Sequence, residues 1–205
     1  MSSRRALPRV TPMEPALVSH PFHRAGWVYE EKYDGWRMLA YKQGRRVRLV
    51  SRLGRDYTGR LPELAAAIVA MRPFALILDG EVARFDETLV SRFEWLGRRA
   101  PDAATPTLYM AFDCLFAAGR DLRRVALRAR RGWLEEVVYG EHLVFPARRL
   151  APNGLEAWAE VLARGYEGLV AKDPASPYVG GRAVKWLKVK QRRYREGERG
   201  WEAKK

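Results

Sequence analysis

Lys32-Tyr33-Asp34-Gly35-Trp36-Arg37 is the stretch around which the rest of the chain arranges itself. Ahead of it, Trp27-Val28-Tyr29-Glu30-Glu31 is rich in β-formers and predicts a strand ending near Gly35. Behind it, Arg37 to Lys42 and Val47 to Ser51 flank Gln43-Gly44, the pattern of a hairpin. A lysine closing one strand and an arginine opening the next thus frame a glycine bend.

Working outward, Leu61, Leu64, Ile68 and Met71 recur at helical spacing behind Pro62, which predicts an amphipathic helix. Ala75 to Ala83 reads as a short, mostly buried strand, and Leu108 to Phe116 as another core strand. Between them, 86–106 is polar at both ends and predicts a short helix and loop. Arg123 to Val138 reads as a helix with its arginines on the exposed face. Leu155, Trp158, Val161 and Leu162 mark a third helix, stopped by Gly165. Gly168 to Lys172 and Val184 to Lys190 alternate apolar with polar and read as strands. Residues 1–20 carry Pro8, Pro12 and Pro15, so an extended arm is expected there rather than a helix. Antiparallel strands mixed with three helices make the fold class α+β.

The composition bounds what such a domain does. A chain of 205 residues with 47% apolar content, seven Trp and nine Tyr fills one core. A net charge of +14 implies a polyanionic partner, because Lys and Arg facing phosphates release counterions and steer association. A GC-biased genome would also enrich arginine, so charge alone does not decide the matter. The single cysteine, Cys114, excludes an internal disulfide and a multi-cysteine zinc site, and its apolar run marks it as a small core residue. His20, His23 and His142 have no ligand spacing. Without a membrane-length apolar run or a signal peptide, a cytoplasmic, nucleoid-associated monomer is the expectation.

Lys32 has the surroundings of an amine nucleophile: an acid two residues on, a glycine and an arginine. A lysine amine attacks only when neutral, so such a site needs desolvation or neighbouring cations. Attack on the α-phosphate of a nucleoside triphosphate would give a phosphoramidate and release pyrophosphate, with metal and basic groups offsetting the phosphate charge. The same charges would equally suit a solvated hairpin. The later segments separate the two readings.

Those segments are Ser51-Arg52-Leu53-Gly54-Arg55-Asp56, Leu78-Asp79-Gly80-Glu81-Val82, Ala111-Phe112-Asp113, Glu167-Gly168-Leu169-Val170-Ala171-Lys172 and Lys185-Trp186-Leu187-Lys188-Val189-Lys190. Collinear with Lys32 to Arg37, they resemble the covalent nucleotidyltransferase superfamily of ATP-dependent DNA ligases, RNA ligases and mRNA-capping enzymes. The resemblance runs from about Pro12 to Lys190. Pro12-Met13, Gly26 to Glu30, Asp56-Tyr57-Thr58, Leu61 to Leu64 and Gly119 to Leu122 are similar to the bacterial DNA ligases of end joining and repair.

The resemblance implies two antiparallel sheets packed with flanking helices, with the nucleotide in the cleft between the sheets. It implies ATP as the nucleotide and Mg2+ or Mn2+ as the metal. Lys32 would carry AMP, and Glu30 would lie near the adenine amino group. Phe112 would stack on the base, with Val170 on its other face, and Arg37 and Glu81 would hold the ribose hydroxyls and the entry to the phosphates. Glu167, Glu81 and Asp34 are the carboxylates for the metal. Lys188 and Lys190, pointing the same way along an alternating strand, would act on the α-phosphate. Arg52 would touch the nucleotide or the 5′-phosphate of DNA. Trp186 is read as packing.

The family pattern continues into an oligonucleotide-binding (OB) barrel, whereas here only Gln191 to Lys205 follows Lys190. The expected division is an adenylation domain over 1–190 and a basic flexible tail over 191–205; a truncated sequence, a naturally minimal catalytic domain, and a barrel or end-joining partner on a separate chain are the open alternatives. Nicked or broken DNA is the expected substrate. An RNA ligase, a capping-type enzyme and a catalytically incomplete DNA-binding subunit are the alternatives.

Overall fold

The computed structural model describes residues 6–97 and 105–191. Two sheets carry its strands. One has the order β1 (Met13–Leu17), β10 (Gly181–Lys190), β9 (Gly168–Lys172), β2 (Val28–Lys32). The other runs β4 (Arg46–Ser51), β3 (Trp36–Gln43), β5 (Ala75–Ala83), β6 (Leu108–Ala117), β7 (Arg120–Asp121), with β8 (Val144–Pro146) also on β6. Pairing is antiparallel except for β1 on β10 and β8 on β6, which are parallel. The fold is α+β, as the sequence predicts.

The proline-bearing arm is extended, and part of it is a strand. Pro12 and Pro15 suit an edge position, where the missing N–H costs no ladder bond, and β1 occupies the edge of its sheet beside β10. Helix α1 (Pro62–Ala70) starts with proline in its first turn and buries Leu64, Ala67 and Ile68. The four-residue α2 (Glu94–Gly97) is the short helix expected after Asp86; residues 98–104 and 192–205 lie outside the described residues, so the expected tail is not among them apart from Gln191. Helix α4 (Gly154–Arg164) is capped by the Asn153 side chain and ends at Gly165, whose φ of 72° is the left-handed region that glycine tolerates.

Helix α3 (Leu127–Val137) corrects the sequence reading twice. It begins four residues later than Arg123, because Asp121 takes both the backbone and the guanidinium of Arg123 into a turn. Its arginines are also not all on the wet face: Arg130 and Arg131 are buried. Arg130 forms a paired bridge with Asp113 at 2.7 Å through each of two nitrogens. A long cation enters a core only where such a partner waits for it.

Three apolar layers fix the sheets. Between them, Trp186 and Ala183 of the first sheet meet Leu39, Ile77 and Leu115 of the second. Behind the second sheet, Leu49, Leu78 and Val82 pack on Leu64, Ile68 and Leu134 of the helices. Behind the first, Leu169, Ala171 and Val189 pack on Ala157 and Val161 of α4. The site lies where β2, β9 and β10 of the first sheet face β3 and β5 of the second.

Candidate active site

Register places the site on one face of the first sheet. Glu30 lies opposite Val170, which lies opposite Lys188; two residues on, Lys32 lies opposite Gly168, which lies opposite Lys190; two residues back stand Val28, Lys172 and Trp186. Residues directly opposite or two apart share a face. Lys188 and Lys190 therefore do point the same way, as their alternation predicts. The facing wall comes from β3 and β5, where Arg37 is opposite Glu81.

These walls enclose a cleft of about 290 Å³ whose lining includes Glu30, Lys32, Arg37, Arg52, Glu81, Phe112, Val170, Lys172, Trp186 and Lys188. That volume lies near the lower end of small-ligand pockets, roughly 300 Å³ upward, and suits one nucleotide unit rather than a polymer.

Lys32 Nζ forms a short ion pair with Oε2 of the buried Glu167, and Lys190 Nζ meets Oε1 of the same carboxylate at 3.0 Å. Glu167 thus gathers both ammonium groups, although neither it nor Lys190 lines the cleft itself. Gly168 makes the arrangement feasible, since a Cβ there would stand 2.1 Å from the carbonyl oxygen of Val189. Burial lowers the pKa of Lys188, and the charges of Lys32 and Lys190 add to that. Desolvation pushes the Glu81 carboxyl up to about 8 against the opposing pull of Lys32 and Arg37.

Several side chains are already engaged. Arg37 grips the fully buried Asp79 through Nε at 3.1 Å and Nη2 at 2.6 Å, and donates to the carbonyl of Met13 at 2.7 Å. Tyr178 donates to the same Asp79 at 2.5 Å. The carboxylate of Glu30 receives Lys172 at 2.5 Å and Arg131 at 3.2 Å. Asp34 is not brought to the cleft lining; its backbone N–H donates to Ser91 Oγ at 2.8 Å.

The carboxylates expected for a metal do not assemble into a cage: no group of three potential ligands occurs among the described residues. Glu81 and Glu167 nevertheless lie near Lys32 as hard oxygen donors. This fits Mg2+, which is ordinarily bound through one or two carboxylates together with substrate phosphates.

Lys172, Trp186 and Arg131 escaped the sequence reading as site residues. Alternation from Gly168 through Val170 already put Lys172 on the cleft face, and Trp186 follows from the step two residues before Lys188. Nothing in the sequence pointed to Arg131, which comes from a helix outside the sheet. Cys114 is buried core, as expected, its thiol pushed up to about 12 by desolvation.

A sequence model of the ATP dependent DNA ligase domain matches residues 11–190. The chain belongs to this family. It is 35% identical over 185 residues to the multifunctional non-homologous end joining protein LigD of Pseudomonas aeruginosa, covering 88% of this chain and 22% of that protein. It is 37% identical over 171 residues to a probable DNA ligase of Beutenbergia cavernae, covering 78% of this chain and 33% of the relative. The chain therefore spans between a fifth and a third of these curated relatives. Among solved structures, a mycobacterial DNA ligase D complexed with ATP and MES superposes with a TM-score of 0.76 at 32% identity, over 88% of this chain and 60% of that one. A Chlorella virus DNA ligase-adenylate shares the fold at 18% identity and a TM-score of 0.63. The match to end-joining ligases agrees with the finer placement read from the sequence.

Proposed function

We propose that this ligase domain seals DNA strands through AMP carried on Lys32. The observation that carries the reading is the convergence of Lys32 and Lys190 on one buried carboxylate, with Lys188 beside them at the cleft. Lys32 Nζ attacks the α-phosphorus of ATP, forming a P–N bond as pyrophosphate leaves. Glu167, in contact with the attacking nitrogen, accepts the proton that the amine must lose. Lys188 and Lys190 stand where negative charge builds on the phosphate, so the protein's main contribution is positioning and charge complementarity.

The base lies between Phe112 and Val170 with its edge toward Glu30, and the ribose faces Arg37 and Glu81. Magnesium or manganese, held by the phosphates with Glu81 and Glu167 close by, would neutralise phosphate charge. AMP then passes to the 5′-phosphate of a nick or break, and a 3′-hydroxyl displaces it to form the phosphodiester. Arg52, exposed at the mouth of the cleft, would meet that 5′-phosphate. A DNA substrate agrees with the net charge of +14 and with the relatives' names. A barrel domain, on the same polypeptide or on a partner chain, would grip the duplex around the cleft.

Sealing of a 5′-phosphorylated nick supplied with ATP and magnesium, with Lys32→Ala alongside, tests this reading. Joining of DNA, with RNA strands joined far less well, is the expected result. Binding of the nick without joining, unchanged in Lys32→Ala and Lys188→Ala, would mark a binding module instead.

A further inference from the structure

Helix α3 stands outside the cleft, yet its Arg131 ends on Glu30, which lines it. The side chain is 7% exposed and fixed at every nitrogen. Nε donates to Glu135 Oε1 at 2.7 Å, one turn along the helix. Nη2 donates to the carbonyl of Ala147 at 2.9 Å, and Nη1 to Glu30 Oε1 at 3.2 Å. The other oxygen of Glu30 takes Lys172 Nζ at 2.5 Å. Each carboxylate oxygen is thus held by a different cation, which stops the group from pivoting as it would about a single contact. An ionised carboxylate carries about four lone-pair sites, so both oxygens keep capacity to accept another donor.

The donor that fits is set by what else lines this corner. Lys172 is fully enclosed, with Phe112 and Trp186 around its ammonium at 4.7 and 4.2 Å from the ring centroids. Its cation is turned to aromatic faces, and Glu30 is the group left to meet the edge of a base. Adenine offers an amino donor at that edge. Guanine offers a carbonyl oxygen at the same place, and two acceptors there repel.

We infer that Arg131 is a positioning residue for base selection, holding the Glu30 carboxylate where it accepts the amino group of adenine and refuses guanine. The inference rests on the reading of Glu30 and the base given under Proposed function. A fork fixed at three points gives this placement, and lysine in its stead keeps the charge but loses the fork.

Calorimetric binding of ATP and of GTP, each with magnesium, to the full chain tests it, with thermal melting recorded for every variant. Arg131→Lys is expected to lower the preference for ATP by about tenfold, the size of one misplaced hydrogen bond. Glu135→Ala, at a residue whose side chain is 50% exposed and so tolerates replacement, frees one of the three anchors; about threefold in the same direction is expected. Glu30→Gln is expected to remove most of the preference. Preference unchanged in Arg131→Lys and Glu135→Ala but lost in Glu30→Gln would overturn the role of Arg131 and leave the base reading standing. Preference retained in Glu30→Gln, or absent from the wild type, would overturn the base reading and this inference with it.

Discussion

Lys32 and Glu167 carry the proposed chemistry at the scale of single residues. Because Glu167 pairs with both Lys32 and Lys190, Glu167→Gln removes a charge that two lysines share. Adenylation by that variant should fall by at least about 100-fold, the usual worth of a general base, which labelled-ATP kinetics would measure. Glu81 gives a prediction in pH. Its pKa is raised from 4.5 to about 8, so the proton is held more tightly in the folded state. The stability this contributes is full below pH 4.5 and is lost as pH rises through about 8. Melting temperatures of wild type and Glu81→Gln should therefore diverge in the variant's favour from acid to pH 8 and above, and parallel curves would refute the shift. Glu31, likewise pushed up to about 8 by burial, adds a slope that this variant keeps. The shared face of Lys188 and Lys190 was legible in the sequence because strand alternation is local. The grip of Asp79 on Arg37 was not, since it depends on which strand lies next to β3.

At the scale of elements, strand alternation is what turns spacing into a site. Reading every second residue of β9 and β10 puts Val170, Lys188 and Lys190 on the cleft face, and pairing with β2 adds Glu30 and Lys32. Gly168 is the residue on which this pairing depends. A methyl group there would meet the Val189 carbonyl at 2.1 Å, so β9 and β10 would have to separate. Gly168→Ala should cost about 2 kcal/mol or more of stability, as overpacking in a core does, and should reduce adenylation further than the melting temperature alone explains. Denaturant unfolding alongside the activity assay would measure both. Helix α3 shows where periodicity misleads. Arginines between leucines read as a wet face, and Arg128 is indeed exposed, but Arg130 and Arg131 are taken inward by Asp113 and Glu30 from two different sheets. A helical pattern contains no record of acids that distant strands will present. Asp34 shows the converse, because proximity to Lys32 in sequence did not bring it into the cleft lining.

At the scale of the whole molecule, the two sheets are joined by a shared apolar layer around Trp186 and Leu39. Buried ion pairs run alongside that layer, from Arg37–Asp79 through Asp113–Arg130 to Arg131–Glu30 and Lys172. Breaking one partner of such a pair costs several kcal/mol, roughly 3–5, so the cleft floor is held in place before any nucleotide arrives. The α+β class and nearly every element were visible in the sequence, since hydrophobic period and glycine or proline punctuation are written along the chain. The parallel edge strands β1 and β8 were not, because a strand of three to five residues joins a sheet by what it meets there. The central claim is that Lys32 carries the nucleotide, and one measurement bears on it most directly: peptide mass spectrometry of the chain after incubation with ATP and magnesium. AMP on the peptide containing Lys32, absent from Lys32→Ala, is the predicted result, while AMP on another residue, or labelling that persists in Lys32→Ala, would contradict it.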